Sequence, residues 1–384
     1  MKIVRLVDLC FRYQNSETIN LQHINLEIET GEFIVFTGKS GCGKSTLLNI
    51  ISGVLAKDGK NYFSGSMYLK QNAVLENDFE ELSPLVAMVF QNPEDQLFAE
   101  TVYEEVAFAL KNKRLPKEEI HKKVLTILQF VGLQGMEERD IRQLSGGQQQ
   151  RLALASMVVH EPELLILDEP LSQIDPQGAR DLLTLLCKLI KKYNMTILMA
   201  EHRLHEVLEF CHRLIIMEGG EIVSDNSIQK IVANALILKQ FSLRVPPALM
   251  ISEHFSIQPP TMDREILIKE MRKKEFHIDH TLPSAMERTG SDALILKNIT
   301  YKYGNHTGIN AISLCFKSNS FNALIGANGS GKSTLLKIIG GLLKPQNGKI
   351  ETGLQTSMIL QNPDLMLFNY TVKEEVLCEA YNKG

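Results

Sequence analysis

Two short stretches of this chain carry residues suited to holding a run of phosphates. GKSGCGKST at 38–46 supplies Gly38, Lys39, Ser40, Gly41, Cys42, Gly43, Lys44, Ser45 and Thr46, and GANGSGKST at 326–334 supplies Gly326, Ala327, Asn328, Gly329, Ser330, Gly331, Lys332, Ser333 and Thr334. In this pattern the glycines let backbone N–H groups wrap phosphate oxygens, the lysine reaches the β- and γ-phosphates, and the hydroxyl takes Mg²⁺. Both stretches are therefore expected to bind a nucleotide, with Ser45 and Ser333 as Mg²⁺ ligands. Cys42 has a second possible meaning, a reactive thiol at a helix start. It is read here as a small residue that the loop tolerates.

Such loops need a strand before them and a helix after them. FIVFTG at 33–38 is an apolar run ending in the first loop, and KSTLLNIIS at 44–52 follows with helical spacing; FNALIG at 321–326 and KSTLLKIIG at 332–340 predict the same arrangement again. The repeat extends to QNPEDQLFAETVYEEV at 91–106, which returns as QNPDLMLFNYTVKEEV at 361–376. The second copy is shorter between its loop and this segment. The extra residues of the first copy fall within 59–84, where alternating apolar residues and turn formers predict a small antiparallel β subdomain. Residues 1–240 are expected to form a first nucleotide-binding domain, 241–292 a proline-rich linker with one short helix, and 293–384 the beginning of a second such domain.

A chain of 384 residues, 44% hydrophobic and 22% charged, accommodates two ordinary domains. Its formal net charge of −4 gives no reason to expect a long nucleic-acid footprint. The six cysteines are scattered without a C-x-x-C pair, which suits a reducing cytosol better than a disulfide framework or zinc. No apolar run is long enough to span a bilayer, so a membrane role requires a partner.

Between the repeats lie QLSGGQQQRLALASMVVH at 143–160, EPELLILDEP at 161–170 and LSQIDP at 171–176. With these motifs the chain resembles the ATP-binding cassette family, whose signature is LSGGQ. The resemblance implies an α/β P-loop NTPase fold with a small antiparallel β subdomain and a helical subdomain, followed by a partial second cassette. It implies ATP and Mg²⁺ as ligands and ATP hydrolysis as the activity. In this reading Asp168 serves Mg²⁺ and Glu169 is the general base. Their placement on opposite sides of a strand fits that division. Gln91 and Gln361 reach the metal and the water, His202 touches the γ-phosphate, and Tyr13 and Tyr303 stack on adenine. Leu144, Ser145, Gly146, Gly147 and Gln148 are expected to act in trans, on nucleotide held by an opposing cassette.

The Gln-Asn-Pro segments and EHRLHEV at 201–207 further resemble the fused, two-cassette ATPase of energy-coupling factor transporters. That resemblance implies import of vitamins or metal ions, together with a transmembrane scaffold (T component) and a substrate-binding membrane protein (S component). The chain would then be peripheral, on the cytoplasmic face of the membrane. Leu97 and Phe98, with Leu367 and Phe368 in the second copy, are candidate anchors on the scaffold. The second copy departs from the family because residues 293–384 hold no LSGGQ, no apolar strand ending in Asp-Glu and no switch histidine. It therefore reads as truncated, with an apolar edge left open where a strand ending in Asp-Glu should lie beside the loop-bearing strand. A homodimer through the first cassette is the expected remedy. The alternatives are a soluble tandem cassette acting on ribosomes or DNA, and a nucleotide-binding regulator without turnover.

Overall fold

The computed structural model describes residues 1–55, 61–74, 83–172, 174–273, 290–304, 306–327, 329–360 and 366–381. The chain divides into two units, Met1–Phe276 and His277–Gly384.

The first unit runs β1 (Lys2–Arg12), β2 (Leu21–Glu29), β3 (Phe33–Thr37), α1 (Lys44–Ile51), β4 (Tyr62–Leu69), β5 (Asn72–Ala73), β6 (Val86–Val89), α2 (Val102–Asn112) and α3 (Lys117–Phe130). It continues with α4 (Gly146–Val158), β7 (Leu164–Asp168), α5 (Pro176–Tyr193), β8 (Thr196–Ala200), α6 (Leu204–Val207), β9 (Arg213–Glu218) and β10 (Glu221–Ser227). An antiparallel sheet has the order β2-β1-β4-β5, and a six-stranded sheet the order β10-β9-β3-β8-β7-β6. The expected small β subdomain thus exists, but two of its strands, β1 and β2, come from the N-terminus, and residues 62–73 add β4 beside β1 and β5 at the edge.

In the larger sheet all neighbours are parallel except β10, and β3, β7 and β8 are buried at every position. Their near-continuous apolar sequences follow from that, since both faces are covered. Phe33 and Val35 face a core built with α2 to α5, while Ile34 and Phe36 face a second core shared with α1 and the antiparallel sheet. One expectation is corrected here. The Asp-Glu strand β7 does not flank β3, which lies between β8 and β9. All these strands are short apolar runs, and such runs do not encode which neighbour they take.

Four further helices, α7 (Ile228–Ala233), α8 (Leu236–Gln240), α9 (Pro247–His254) and α10 (Arg264–Arg272), complete this unit. Val245 and Leu249 are buried in its main core. Residues 241–273, expected as linker, therefore pack as part of the first unit and hold two helices, not one. The rest of that expected linker up to 289 lies outside the described residues.

His160 sits between α4 and β7 with its Nδ1 buried and, among the described residues, unpartnered. Burial, helped by nearby Lys113, pushes its pKa down from 6.5 to about 4. The folded ring stays neutral while the unfolded ring gains a proton, so stability is lost as pH falls from about 6.5 toward about 4. We expect a loss of about 1–2 kcal/mol over this window after allowing for the ring's partial exposure. Urea titrations at several pH values should show that slope, and His160→Gln should flatten it.

The second unit contains β11 (Asp292–Tyr303), β12 (His306–Lys317), α11 (Lys332–Ile339), β13 (Asn347–Thr352) and α12 (Val372–Tyr381). Its sheet order β12-β11-β13 repeats β2-β1-β4, and Leu335 and Ile338 of α11 pack on Leu296, Ile299 and Ile309. The strand expected at 321–326 is absent: these residues carry no regular structure, with Phe321 99% and Ile325 90% exposed. In the first unit β3 is hydrogen-bonded on both sides, by β8 and β9. The described residues of the second unit provide no counterparts, and a strand without partners does not hold.

Candidate functional site

The first phosphate loop closes on its own lysine. Lys44 is buried, and its Nζ donates to Gly38 O at 3.0 Å and Lys39 O at 3.2 Å, with Cys42 Sγ at 3.7 Å. Two glycines make this possible. Gly38 at φ 143° and Gly43 at φ 104° hold conformations that L side chains rarely adopt, and a Cβ on Gly38 would meet Met217 O at 2.1 Å. The loop, α1 and Glu169 line a cavity of about 230 Å³. Asn20 also lines it and was not foreseen: it lies in the β1–β2 connection, where its Oδ1 accepts from Tyr13 N at 3.1 Å.

At the end of β7, Asp168 Oδ1 accepts from Ser45 Oγ at 3.0 Å. Burial raises the Asp168 pKa and Glu169 adds to this, while the Ser45 hydrogen bond, Lys44 and His202 oppose it. A hydroxyl and a buried carboxylate in contact are a hard oxygen donor set, which fits Mg²⁺. Glu169 is placed differently from the expected strand alternation. Its φ of 45° turns the backbone out of the strand, and its N–H donates to Ala200 O at 3.0 Å. Such a conformation costs on the order of 1 kcal/mol in a non-glycine residue. The turn brings Glu169 Oε1 to 2.8 Å from His202 Nε2, and Oε2 accepts from Gln91 Nε2 at 3.2 Å. Gln91, Glu169 and His202, from three separate stretches of sequence, therefore meet beside Lys44, Ser45 and Asp168.

Tyr13 OH lies 3.3 Å from Thr46 Oγ1, and its ring stands edge-on to Phe11 at 4.9 Å. The second unit repeats this: Tyr303 OH lies 3.4 Å from Thr334 Oγ1, with Tyr301 at 5.0 Å. Lys332 Nζ likewise donates to Gly326 O and Ala327 O, both at 2.7 Å. Ser333 is exposed and, among the described residues, no carboxylate stands opposite it as Asp168 does opposite Ser45. Asn328 and Gln361 lie outside the described residues.

The signature residues are not brought to the Lys44 cavity. Ser145 caps α4 by a capping box, its Oγ accepting from Gln148 N at 3.4 Å while its own N donates to Gln148 Oε1 at 2.9 Å. Leu144 is buried just before the cap, and Gly146 and Gly147 open the helix. The candidate anchors separate. Leu97 is partly buried against the main core, whereas Phe98 is 64% exposed and stands edge-on to Phe108 at 4.7 Å. Leu367 and Phe368 are exposed. Glu105, which the motif alone did not explain, holds this turn by accepting from Phe98 N and Ala99 N; Glu375 does the same for Phe368 N and Asn369 N.

The sheet, the lysine-bearing loop and the acid pair beside it define a P-loop ATPase of cassette type. The model of the ABC transporter family matches residues 21–172 and 309–375, and the chain belongs to that family. A provisionally named ABC transporter ATP-binding protein of Methanosarcina mazei is 34% identical over 400 residues, which cover 97% of this chain and 69% of that protein. A protein of Bacillus subtilis provisionally named HMP/thiamine import ATP-binding protein YkoD is 32% identical, covering 98% and 71%. A Bacillus thuringiensis relative is 36% identical, but only 62% of its length is spanned. The chain thus spans about two thirds of the length of these relatives. Among solved structures, cbiO1 of Clostridium perfringens, part of the ABC transporter complex cbiONQ, superposes with TM-score 0.57 at 31% identity, covering 66% of this chain and 99% of that one. A dimeric ATP-binding cassette in a post-hydrolysis state with ADP and Pi gives 0.52 at 30% identity, covering 59% and 98%. No helix among the described residues is long and apolar enough to cross a membrane.

Proposed function

We propose that this chain is the ATP-hydrolysing subunit of an importer of the energy-coupling factor type, with hydrolysis centred on the Lys44 site. The observation that carries the reading is Glu169, held by Gln91 on one carboxylate oxygen and by His202 on the other. A carboxylate fixed on both sides is poised to take a proton from water attacking the γ-phosphate. Lys44 withdraws charge from the β- and γ-phosphates, the α1 N-terminus adds its dipole, and Tyr13 offers its ring to adenine. Ser45 and Asp168, with Gln91, would hold Mg²⁺, which would supply positive charge to offset that of the phosphates. The signature residues around Ser145 complete the site of an opposing cassette. That cassette is another copy of this chain.

The importer assignment draws support from the similarity to cbiO1 and to the B. subtilis protein named for HMP/thiamine import. The proposed partners are a T component and an S component, with the chain peripheral on the cytoplasmic face and no nucleic acid involved. Vitamins of the thiamine type are the solute this similarity favours over metal ions. The test is affinity purification of the tagged chain from detergent-solubilised membranes. Small hydrophobic membrane proteins should co-purify. Recovery with bound RNA and without membrane proteins would contradict the importer assignment.

A further inference from the structure

We propose that Arg203 is a positioning residue that ties the Glu169–His202 pair to the signature helix through the loop following Glu169. The proposal rests on the catalytic reading of Glu169 and His202 given above. Glu201, 2% exposed at the end of β8, accepts on one carboxylate oxygen from both His202 N at 2.8 Å and Arg203 N at 3.0 Å. His202 and Arg203 therefore share one pinned turn, and their side chains reach in different directions. The His202 ring meets Glu169. The Arg203 guanidinium donates from Nη1 to Leu171 O at 2.5 Å and to Ile174 O at 3.0 Å, and its Nη2 pairs with Glu206.

The two carbonyls belong to the loop between Glu169 and α5. That loop is anchored downstream by Asp175, whose carboxylate caps α5 by accepting from Gly178 N at 2.8 Å. Ile174 reaches the signature: its Cγ2 lies 3.6 Å from where a Cβ on Gly147 would stand. A line of neighbours thus leads from Glu169 and His202, through Arg203 and Ile174, to the face of Gly147 at the start of α4. The planar guanidinium holds the two carbonyls and the carboxylate in a fixed geometry that a flexible ammonium does not reproduce. A change in how His202 meets the nucleotide is transmitted along this line to the residues that read the opposing nucleotide.

The test uses two variants of the full chain. Arg203→Gln combined with Glu206→Gln removes the guanidinium and its carboxylate partner together, so that Glu206 is not left as an unpaired charge. Arg203→Lys keeps the charge but loses the fork. In both, the Kd for a fluorescent ATP analogue should stay within about twofold of the parent while kcat for MgATP hydrolysis falls roughly 10- to 100-fold, the scale of a small misplacement of catalytic groups. Amide exchange at Leu171, Ser172, Ile174 and Asp175 should quicken. Parental kcat and exchange in the double variant overturn the proposal. So does a loss of analogue affinity equal to the loss of kcat, because that marks a general structural role. Glu169→Gln measured in parallel separates the failures. Turnover lost there but parental in the double variant sinks only the role of Arg203, and parental turnover in both sinks the catalytic reading with it.

Discussion

Glu169→Gln is expected to bind ATP as the parent does and to turn it over at least about 100-fold more slowly, the usual scale for removing a general base. The substitution keeps the shape of the side chain and a carbonyl oxygen that can still accept from Gln91 or His202. It removes only the basicity. Because Glu169 neither contacts Lys44 nor belongs to the phosphate loop, the ground-state contacts to ATP persist. Single-turnover hydrolysis and equilibrium binding, measured on the same preparation, separate the two effects. Equal losses of binding and turnover would show that Glu169 acts by holding the loop and not by accepting a proton.

Lys44→Ala should do the opposite, with nucleotide binding at the first site weakened at least about 100-fold. The ammonium is buried and already fixed between Gly38 O and Lys39 O before a phosphate arrives. A charge-assisted contact made with so little reorganisation is worth roughly 3 kcal/mol, which corresponds to that factor. Its removal also leaves those two carbonyls without their donor. Lys332→Ala should change turnover far less. Lys332 contacts the matching carbonyls of its own loop, but no base of the Glu169 kind stands beside it among the described residues. Rates of MgATP hydrolysis by both variants check the contrast, with calorimetric titration reading the binding loss of Lys44→Ala, and comparable losses of turnover in the two would place the working site elsewhere.

The parts of the site legible in the sequence are those whose chemistry is local. The Lys44 loop needs glycines at fixed offsets because the backbone itself binds, so the pattern survives as a string. Ser45 and Asp168 follow from that string and from the acid at the end of an apolar strand. Glu169 was named from its motif, but its geometry was not legible. Its positive φ arises from where the chain must turn after β7, and no residue type announces it. Asn20 enters the cavity only because the β1–β2 connection folds back over the loop, a tertiary fact with no motif. Leu97 and Phe98 are adjacent and equally apolar, yet one is partly buried against the core and the other is exposed; a short turn held by Glu105 decides between them. Strand order was misjudged because β7, β8 and β9 are interchangeable as apolar runs. The 321–326 segment shows the reverse limit: it has the composition of β3, yet only neighbouring strands make such a run a strand.

The most direct test of the account is the mass of the Glu169→Gln chain in solution with and without MgATP, measured by light scattering at several protein concentrations. If ATP held by Lys44 is completed by Ser145 of an opposing cassette, ATP should shift the mass to that of two chains. Adding Lys44→Ala should abolish the shift. A chain that binds MgATP and keeps the mass of a single copy at every concentration would contradict assembly through the first cassette.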